Sequence, residues 1–313
     1  MQFRNLGKSG LRVSVVGLGC NNFGGRVDLE QTRKVIHKAL DLGITLFDTA
    51  DVYGNKGGAE DLMGQILGDR RKDIVLATKF GMPMDNAEKT GASRRYIFFA
   101  VEASLRRLRT DWIDLYQLHQ ADPLTPVEET LRALDDLVHQ GKVRYTGCSN
   151  LAAWQVVEAQ WTAQHLGLNT FASCQDEYSL LARDLERERM PAIRAYGLGL
   201  LPYYPLASGL LTGKYRRGRA MPEGARLTVT QRFADRVLTD SNREKVERLA
   251  EFCAERGRSM LELAFSWLAA QPAVAGVIAG ATKPEQLEQN ANAVNWQLTS
   301  EEIRAVDQIT CNA

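Results

Sequence analysis

The sequence predicts a closed (β/α)₈ barrel, in which eight parallel strands alternate with helices. Three observations support it: eight short apolar runs are each followed by helical or polar sequence, the middle runs begin at similar intervals, and no complete glycine-rich phosphate loop is present. The alternative, an open doubly wound sheet, would be expected to carry G-x-G-x-x-G after its first strand. Residues 17–22 lack the third glycine, which favours the barrel.

The chain opens with a predicted β-hairpin at residues 3–13, around a turn that contains Gly7 and Gly10. The second to seventh runs begin at residues 44, 74, 113, 143, 171 and 198, a spacing that suits repeated strand–helix units. The eight runs predicted as strands are Val15–Gly17, Ile44–Phe47, Ile74–Thr78, Ile113–Gln117, Val143–Gly147, Phe171–Cys174, Leu198–Leu201 and Gly276–Ile278.

Helical periodicity fills most of the gaps between these runs. Gly43 and Gly141 follow two of the predicted helices directly, in the position that favours a left-handed residue, and Ser93 is a suitable N-cap. The predicted helices are Leu29–Leu42, Ser93–Leu108, Pro126–Gln140, Ala153–His165, Leu185–Tyr196, Ser241–Arg256, Ser259–Ala270, Pro284–Asn292 and Ser300–Ile309.

The interval between the seventh and eighth runs, from residue 198 to residue 276, is longer than the others. It holds an extra predicted helix and a polar stretch, Arg216–Asp240. Long irregular segments in compact domains are often lids or binding loops, although a tolerated surface insertion is the alternative. We therefore predict one barrel domain over residues 1–313, with a long active-site loop and extra helix at about 203–258.

The composition is that of a globular protein, with 313 residues, 44% apolar and 25% charged. A net charge of +1 gives no reason to expect nucleic acid or an anionic membrane as a partner. The first residues lack the apolar core of a secretory signal, and no apolar run reaches membrane-spanning length. Five scattered cysteines without C-x-x-C spacing indicate free thiols in a reducing cytosol and no metal site. We expect a cytoplasmic location.

Candidate catalytic residues follow three successive runs, at the end of the barrel where active sites are found. Asp48, Lys79 and His119 each stand directly after a predicted strand, and Tyr53 lies five residues beyond Asp48. Taken singly, the first three are ordinarily a helix cap, a solvated charge and a structural histidine. At corresponding ends of adjacent strands they are expected to converge, and close ionisable groups shift one another's pKa.

The chemistry of carbonyl reduction identifies a role for each of these side chains. Reduction requires a hydride on carbon and a proton on oxygen, and a phenol with an ordinary pKa near 10 is a weak acid at neutral pH. The ammonium of Lys79 stabilises a phenolate on Tyr53, and Asp48 holds Lys79 in place. His119 can hydrogen-bond the substrate oxygen. We predict Tyr53 as the general acid of reduction and the general base of alcohol oxidation.

Four segments of the chain resemble the aldo-keto reductase superfamily, and the resemblance runs from residue 3 to the last helix. They are residues 46–54 (LFDTADVYG), 78–81 (TKFG), 114–119 (DLYQLH) and 141–150 (GKVRYTGCSN). The resemblance implies reversible reduction of a small carbonyl compound with NADPH extended across the strand ends. It is closer to the bacterial and potassium-channel β-subunit branch than to the mammalian aldose reductase branch.

The resemblance also implies the residues that hold the cofactor. Ser149, Asn150 and Gln175 match the partners of the nicotinamide carboxamide, and Tyr203 matches the residue that stacks on its ring. The other matching positions follow the first, second, seventh and eighth strands: Gly19, Cys20, Asn21, Asp48, Tyr204, Pro205, Leu206, Ser208, Gly209, Lys214, Arg226, Ile278, Gly280, Thr282, Gln286, Gln289 and Asn290. Tyr204 stands where the family often has serine, so a backbone N–H is expected to serve the pyrophosphate there.

The choice of dinucleotide depends on the last of these segments. Gln286 stands where the mammalian branch has arginine, and it matches the bacterial and channel branch instead. In that branch Lys214 and an arginine corresponding to Arg226 hold the 2′-phosphate, and arginine suits bidentate phosphate contact. We expect NADP(H) in preference to NAD(H).

Substrate contacts are assigned to the same rim. The expected residues are Tyr53, His119, Asn22, Phe23 and Asp122, and Asn21 in place of a frequent tryptophan predicts a polar pocket. Asp122 precedes a proline, so a simple turn is the alternative there.

Two classes of function remain open on the sequence. One is an enzyme that reduces aldehydes, ketones or aldoses, or that oxidises a sugar or alcohol. The other is a cofactor-binding regulatory subunit of the channel β-subunit type with little turnover. The intact Asp48, Tyr53, Lys79 and His119 set favours the enzyme. The sequence leaves the substrate, the preferred direction and the choice between monomer and homo-oligomer open.

Overall fold

Eight parallel strands form the barrel in a computed structural model that describes residues 1–84, 89–215 and 220–311. A separate antiparallel hairpin is formed by β1 (Phe3–Asn5) and β2 (Arg12–Ser14). The barrel strands are β3 (Val16–Gly19), β4 (Leu46–Asp48), β5 (Val75–Phe80), β6 (Ile113–Leu118), β7 (Val143–Ser149), β8 (Phe171–Glu177), β9 (Gly199–Tyr203) and β10 (Val277–Gly280). The hydrogen-bonded order is β10-β3-β4-β5-β6-β7-β8-β9. Leu200 of β9 closes the ring through backbone hydrogen bonds to Ala273 (2.8 Å) and Ala275 (2.9 Å). The predicted barrel is confirmed.

Helices surround the strands. They are α1 (Leu29–Asp41), α2 (Tyr53–Leu67), α3 (Arg94–Leu108), α4 (Val127–His139), α5 (Ala153–His165), α6 (Arg189–Tyr196), α7 (Arg226–Val229), α8 (Gln231–Val237), α9 (Asp240–Ala254), α10 (Met260–Ala270), α11 (Pro284–Asn292) and α12 (Ser300–Thr310). Short 3₁₀ helices cover Gly68–Asp73, Asp184–Glu186 and Ala207–Thr212.

The helix α1 shows why these segments are helical. Its apolar residues Val35, Ile36 and Ala39 recur at helical spacing and are buried against the barrel. The side chain of Asp28 accepts a hydrogen bond from the backbone N–H of Gln31 and caps the first turn, which contributes about 1 kcal/mol. Gly43, with φ 71°, ends the helix in the left-handed region, as the sequence predicts.

Three stretches differ from the sequence-based prediction. The helix predicted over Leu185–Tyr196 divides into the 3₁₀ helix Asp184–Glu186 and α6. The helix α2 is absent from the prediction because its first turn is left-handed, with positive φ from Gly54 to Gly57, and glycine disfavours a regular helix. In the polar stretch 216–240 the described part forms α7 and α8, whereas residues 216–219 lie outside the described residues.

The hairpin of β1 and β2 closes the amino-terminal end of the barrel. Leu6 and Val13 are fully buried and belong to the cluster inside the barrel, together with Leu46, Ala77, Leu115, Leu201, Ala275 and Ile278. The turn packs so tightly that a Cβ on Gly7 would lie 2.4 Å from the carbonyl oxygen of Gly197. Only glycine fits there, so the hairpin can seat its apolar side chains in the barrel.

The helices and the polar side chains of residues 1–84, 89–215 and 220–311 limit the kinds of site that this part of the chain can hold. Among these residues, none of the helices is both long enough and apolar enough to cross a bilayer. The same residues hold no group of three or more histidine, cysteine, aspartate or glutamate side chains arranged to bind a metal ion.

Candidate active site

A buried ion pair lies at the carboxyl-terminal mouth of the barrel, the end where the parallel strands finish. Lys79, near the end of β5, places Nζ 2.7 Å and 2.9 Å from the carboxylate oxygens of Asp48 and 2.8 Å from the carbonyl oxygen of Thr49. Desolvation of two charges is costly, and these hydrogen bonds offset it. Burial alone would lower the pKa of Lys79, but the charge of Asp48 and the neighbouring Tyr53 outweigh it and raise that pKa. The lysine is therefore held as an ammonium.

Tyr53, the first residue of α2, lies beside this pair. The Nζ of Lys79 is 5.0 Å from the centroid of the tyrosine ring, and the imidazole of His119 packs edge-on at 5.8 Å. Burial raises the pKa of the phenol and outweighs the ammonium of Lys79, which lowers it. The sequence predicts the ammonium effect correctly, but not the dominant effect of burial. The resting phenol is thus protonated, which suits a proton donor.

The imidazole of His119 is neutral. Burial and then the nearby charge of Lys79 lower its pKa to about 3. Its backbone is held by a hydrogen bond from its N–H to the carbonyl of Phe80 (2.9 Å) and by the Asn150 amide, which donates to its carbonyl (3.0 Å). A neutral ring at this point can hydrogen-bond an uncharged substrate oxygen.

Two amide side chains, from β6 and β8, connect the Asp48–Lys79 ion pair to the other side of the barrel. Gln175 of β8 donates to Asp48 Oδ1 at 2.8 Å, and Gln117 of β6 lies 3.4 Å from the same oxygen. Gln117 was not among the predicted site residues because it stands inside an apolar run. The one signal in the sequence is a polar side chain within a strand that is otherwise buried.

The predicted carboxamide partners lie together. Ser149 donates through Oγ to the carbonyl of Gln175 (2.8 Å), and the Asn150 amide donates to Ser149 Oγ (2.9 Å). The hydroxyl of Tyr203 donates to Asn150 Oδ1 at 2.7 Å. This group offers both donors and acceptors beside an aromatic ring, so the residues present fit a nicotinamide carboxamide.

The segment after β9 is built from left-handed backbone. Tyr204, Ala207 and Ser208 have φ of 52°, 44° and 58°, which costs energy for residues with a Cβ. Ser208 Oγ is buried and has no hydrogen-bond partner among the described residues. A buried hydroxyl without a partner, next to the half-buried Gly209, fits a ligand that approaches the backbone closely. This agrees with the expectation that Pro205, Leu206 and their neighbours contact the cofactor.

Three cations gather beyond this segment. They are Lys214, Arg226 and Arg26. Burial and the charges of Arg26 and Arg226 lower the pKa of Lys214. Burial and the charge of Arg26 also lower the pKa of Arg226. In the described part of the chain, none of the three forms an ion pair with a carboxylate. Arg26 was not predicted from the sequence, because nothing local distinguishes it from any exposed arginine.

In the segment after β10, Gln286 has a structural role besides the predicted contact with the cofactor. Its Oε1 accepts from the backbone N–H groups of Thr282 (2.8 Å) and Lys283 (3.3 Å), so it caps the start of α11. Of the remaining predicted positions here, Gly280 and Gln289 are exposed, whereas Ile278 and Asn290 are buried. After β3, Cys20 is fully buried, and Asn21 is half-buried beside Gly280.

Three predicted substrate residues lie elsewhere than expected. Phe23 is fully buried in the hydrophobic core, so its assignment to the pocket wall is wrong. Asn22 is 3% exposed and accepts a hydrogen bond from Arg226 at 3.0 Å, which places it on the cation side of the mouth. The oxygens of Asp122 accept from the N–H groups of Ala92 and Leu124 and from a hydroxyl, so the turn interpretation holds.

A second buried acid lies just behind the ion pair. Asp51 is 1% exposed, and neither carboxylate oxygen has a hydrogen-bond partner among the described residues. Glu60, fully buried on α2, bonds the Thr78 hydroxyl (2.5 Å) and Arg107 (2.7 Å). Burial and then the charge of Glu60 raise the pKa of Asp51 to about 8. Asp51 is thus largely protonated at neutral pH, a feature that the sequence did not indicate.

Replacing Asp51 by Asn should stabilise the fold at alkaline pH. Between the unfolded pKa near 4 and the folded pKa of about 8, the folded state binds more protons than the unfolded state, so stability falls as pH rises. Asparagine mimics the neutral acid and does not titrate. We expect Asp51→Asn to raise the free energy of unfolding by about 3–5 kcal/mol at pH 8 and by less than about 1 kcal/mol at pH 4. Denaturant unfolding at the two pH values measures this, with the exposed Asp69→Asn as the matched control. An equal pH slope in wild type and Asp51→Asn would contradict it.

Comparisons with known proteins agree with this geometry. The family model described as "Aldo/keto reductase family" matches residues 15–310. The chain is 39% identical to a probable voltage-gated potassium channel subunit beta of Oryza sativa subsp. japonica, over 94% of this chain and 92% of that protein. It is 38% identical to the uncharacterized oxidoreductase YrpG of Bacillus subtilis (99% and 96% covered) and 35% identical to an L-glyceraldehyde 3-phosphate reductase of Escherichia coli O157:H7 (98% and 92% covered). The chain therefore belongs to the aldo/keto reductase family.

Proposed function

We propose that this protein is an NADP(H)-dependent oxidoreductase that interconverts an aldehyde or ketone and the corresponding alcohol. Tyr53 acts as the general acid of reduction and as the general base of oxidation. The observation that carries the proposal is the buried Asp48–Lys79 ion pair directly beside the Tyr53 ring, at the barrel end where active sites lie.

The side chains divide the work of proton transfer. When bound, the nicotinamide supplies or accepts the hydride. Tyr53 donates its proton to the substrate oxygen, and the fixed ammonium of Lys79 stabilises the phenolate that remains. Asp48 keeps that ammonium in place, and the neutral imidazole of His119 hydrogen-bonds the substrate oxygen and orients it. Because Lys79 is withdrawn from water, its charge acts strongly on the phenol.

The preference for NADP(H) is supported by the cations at the far side of the mouth. The family uses NAD(P)H, and an extra phosphate is the part that separates the two dinucleotides. Lys214 and Arg226 have no carboxylate partner among the described residues, so an anionic group there gains charge pairing without displacing an existing one.

A direct assay tests the proposed function. The protein is mixed with NADPH or NADH and a panel of small aldehydes, and the loss of reduced-cofactor absorbance is followed. The panel includes L-glyceraldehyde 3-phosphate, because one relative is named as its reductase. The reverse reaction uses NADP⁺ with sugars and alcohols. We expect turnover of about 1 s⁻¹ or faster on at least one carbonyl compound, with NADPH preferred.

A regulatory role of the channel β-subunit type is the second candidate. Relatives at 39% identity carry that name, and one face of α5 exposes Trp154, Val157 and Trp161. Exposed aromatic side chains grouped on one face are typical of protein–protein contacts. Tight NADPH binding without turnover on any member of the panel would support this candidate over the enzyme.

A further inference from the structure

We propose that Asn22 and Arg26, in the loop between β3 and α1, determine the specificity of this protein for the 2′-phosphate of the dinucleotide. Asn22 positions the guanidinium of Arg226, and Arg26 adds a third positive charge to that of Lys214 and Arg226. The inference rests on the proposed use of NADP(H) and adds the residues that select it.

The side chain of Asn22 joins three distant parts of the chain. Its Oδ1 accepts from Arg226 Nη2 at 3.0 Å, and its Nδ2 lies 3.5 Å from the carbonyl of Ala281, just after β10. A Cβ on Gly280 would lie 3.0 Å from Nδ2, so the packing around the amide is close. With 3% exposure, Asn22 is a buried amide whose hydrogen bonds hold α7 against the barrel mouth.

The backbone carbonyl of Asn22 also fixes the position of the Arg26 backbone. The N–H of Arg26 donates to the Asn22 carbonyl at 2.9 Å, and the N–H of Val27 donates to the same oxygen at 3.1 Å. These bonds form a turn, and Phe23 anchors it in the hydrophobic core. One residue thereby places two arginines that are 200 positions apart in the sequence.

As a result, three positive charges lie close together, and among the described residues none of them is paired with a carboxylate. Burial, and then the like charges of Arg26 and Arg226, lower the pKa of Lys214, so the three cations oppose one another. Such repulsion is relieved by an anion with more than one negative charge. A phosphomonoester carries close to two charges at neutral pH and offers several acceptor oxygens, whereas a ribose hydroxyl offers neither.

Its hydrogen bonds also separate Asn22 from a substrate role. Oδ1 of the amide is engaged by Arg226, and Nδ2 lies 3.5 Å from the carbonyl of Ala281. Asn22 is therefore a positioning residue that acts through Arg226. Arg26 acts directly, through the attraction of its positive charge for the 2′-phosphate.

Binding of adenosine 2′,5′-bisphosphate and of adenosine 5′-phosphate, measured by calorimetry on the whole protein, tests this proposal. The two ligands differ only in the 2′-phosphate. We expect wild type to bind the bisphosphate at least about tenfold more tightly, and Arg26→Gln and Asn22→Ala each to weaken the bisphosphate by about five- to tenfold. Affinity for the monophosphate should stay within about twofold, and increasing salt should reduce the difference between the ligands.

The exposed Arg95→Gln on α3 removes the same charge elsewhere and should leave both affinities unchanged. Because Asn22 is buried, thermal melting checks each variant, and Arg26→Gln keeps the test valid if Asn22→Ala unfolds. Equal weakening of both ligands by Arg26→Gln, or no change in either, would overturn the proposal. The proposal would also be overturned if the wild-type protein failed to prefer the bisphosphate. In that case, turnover with NADH in the aldehyde assay would still support the oxidoreductase function.

Discussion

Replacing Tyr53 by Phe should lower kcat by about a thousandfold or more, with less than about a twofold change in the Kd for NADPH. The phenylalanine ring preserves the edge-on contact with His119 and the position near Lys79, so only the transferable proton is lost. Binding of the dinucleotide is expected to depend on other groups, around Ser149 and Lys214. Stopped-flow reduction of an aldehyde found in the panel, with fluorescence titration of NADPH, measures both quantities.

The control for this experiment is Tyr196→Phe, which removes a phenol from α6 away from the mouth and should leave kcat unchanged. The 4-deuterated cofactor shows whether the chemical step limits the rate. If Tyr53→Phe keeps the wild-type rate while a full isotope effect is observed, another group supplies the proton and the assignment is wrong.

Replacing Lys79 by Met should affect both catalysis and stability. The substitution leaves the carboxylate of Asp48 buried with no cation, a defect that costs about 3–5 kcal/mol. It also removes the charge that stabilises the phenolate on Tyr53, so kcat should fall by about a thousandfold or more. Denaturant unfolding and the aldehyde assay give the two values.

A double variant separates these two effects. In Asp48→Asn/Lys79→Met the buried charge is gone from both partners, so we expect most of the lost stability to return. Activity should remain as low as in the single variant, because the ammonium is still absent. Recovery of activity together with stability would show that Lys79 has only a structural role.

The sequence was sufficient to predict the barrel and the centre of the site. Apolar runs followed by helical patterns identify parallel strands, and parallel strands all end at one mouth. That geometry alone brings Asp48, Lys79 and His119 together, although 71 residues separate the first from the last. The resemblance then identified Ser149 and Asn150 as expected cofactor contacts, and in the structure these residues lie at the mouth, hydrogen-bonded to each other and to Gln175.

Other features depend on tertiary contacts that no local pattern records. The contact between Asn22 and Arg226 forms only when the loop after β3 meets α7, and both residues read locally as ordinary polar side chains. Phe23 is predicted as a substrate contact but packs into the hydrophobic core. The raised pKa of Asp51 comes from burial beside Glu60, and burial of an acid in a loop cannot be recognised from hydrophobic periodicity.

The hairpin that seats Leu6 and Val13 in the barrel covers one end of a packed interior. Molecules that reach Tyr53 and Lys79 are therefore expected to enter and leave at the opposite, carboxyl-terminal mouth. The same opening is bordered by α7 and by Phe233 of α8, whose ring packs against Tyr204 at 5.8 Å. We expect a molecule bound at that border to narrow the way out for anything bound beneath it.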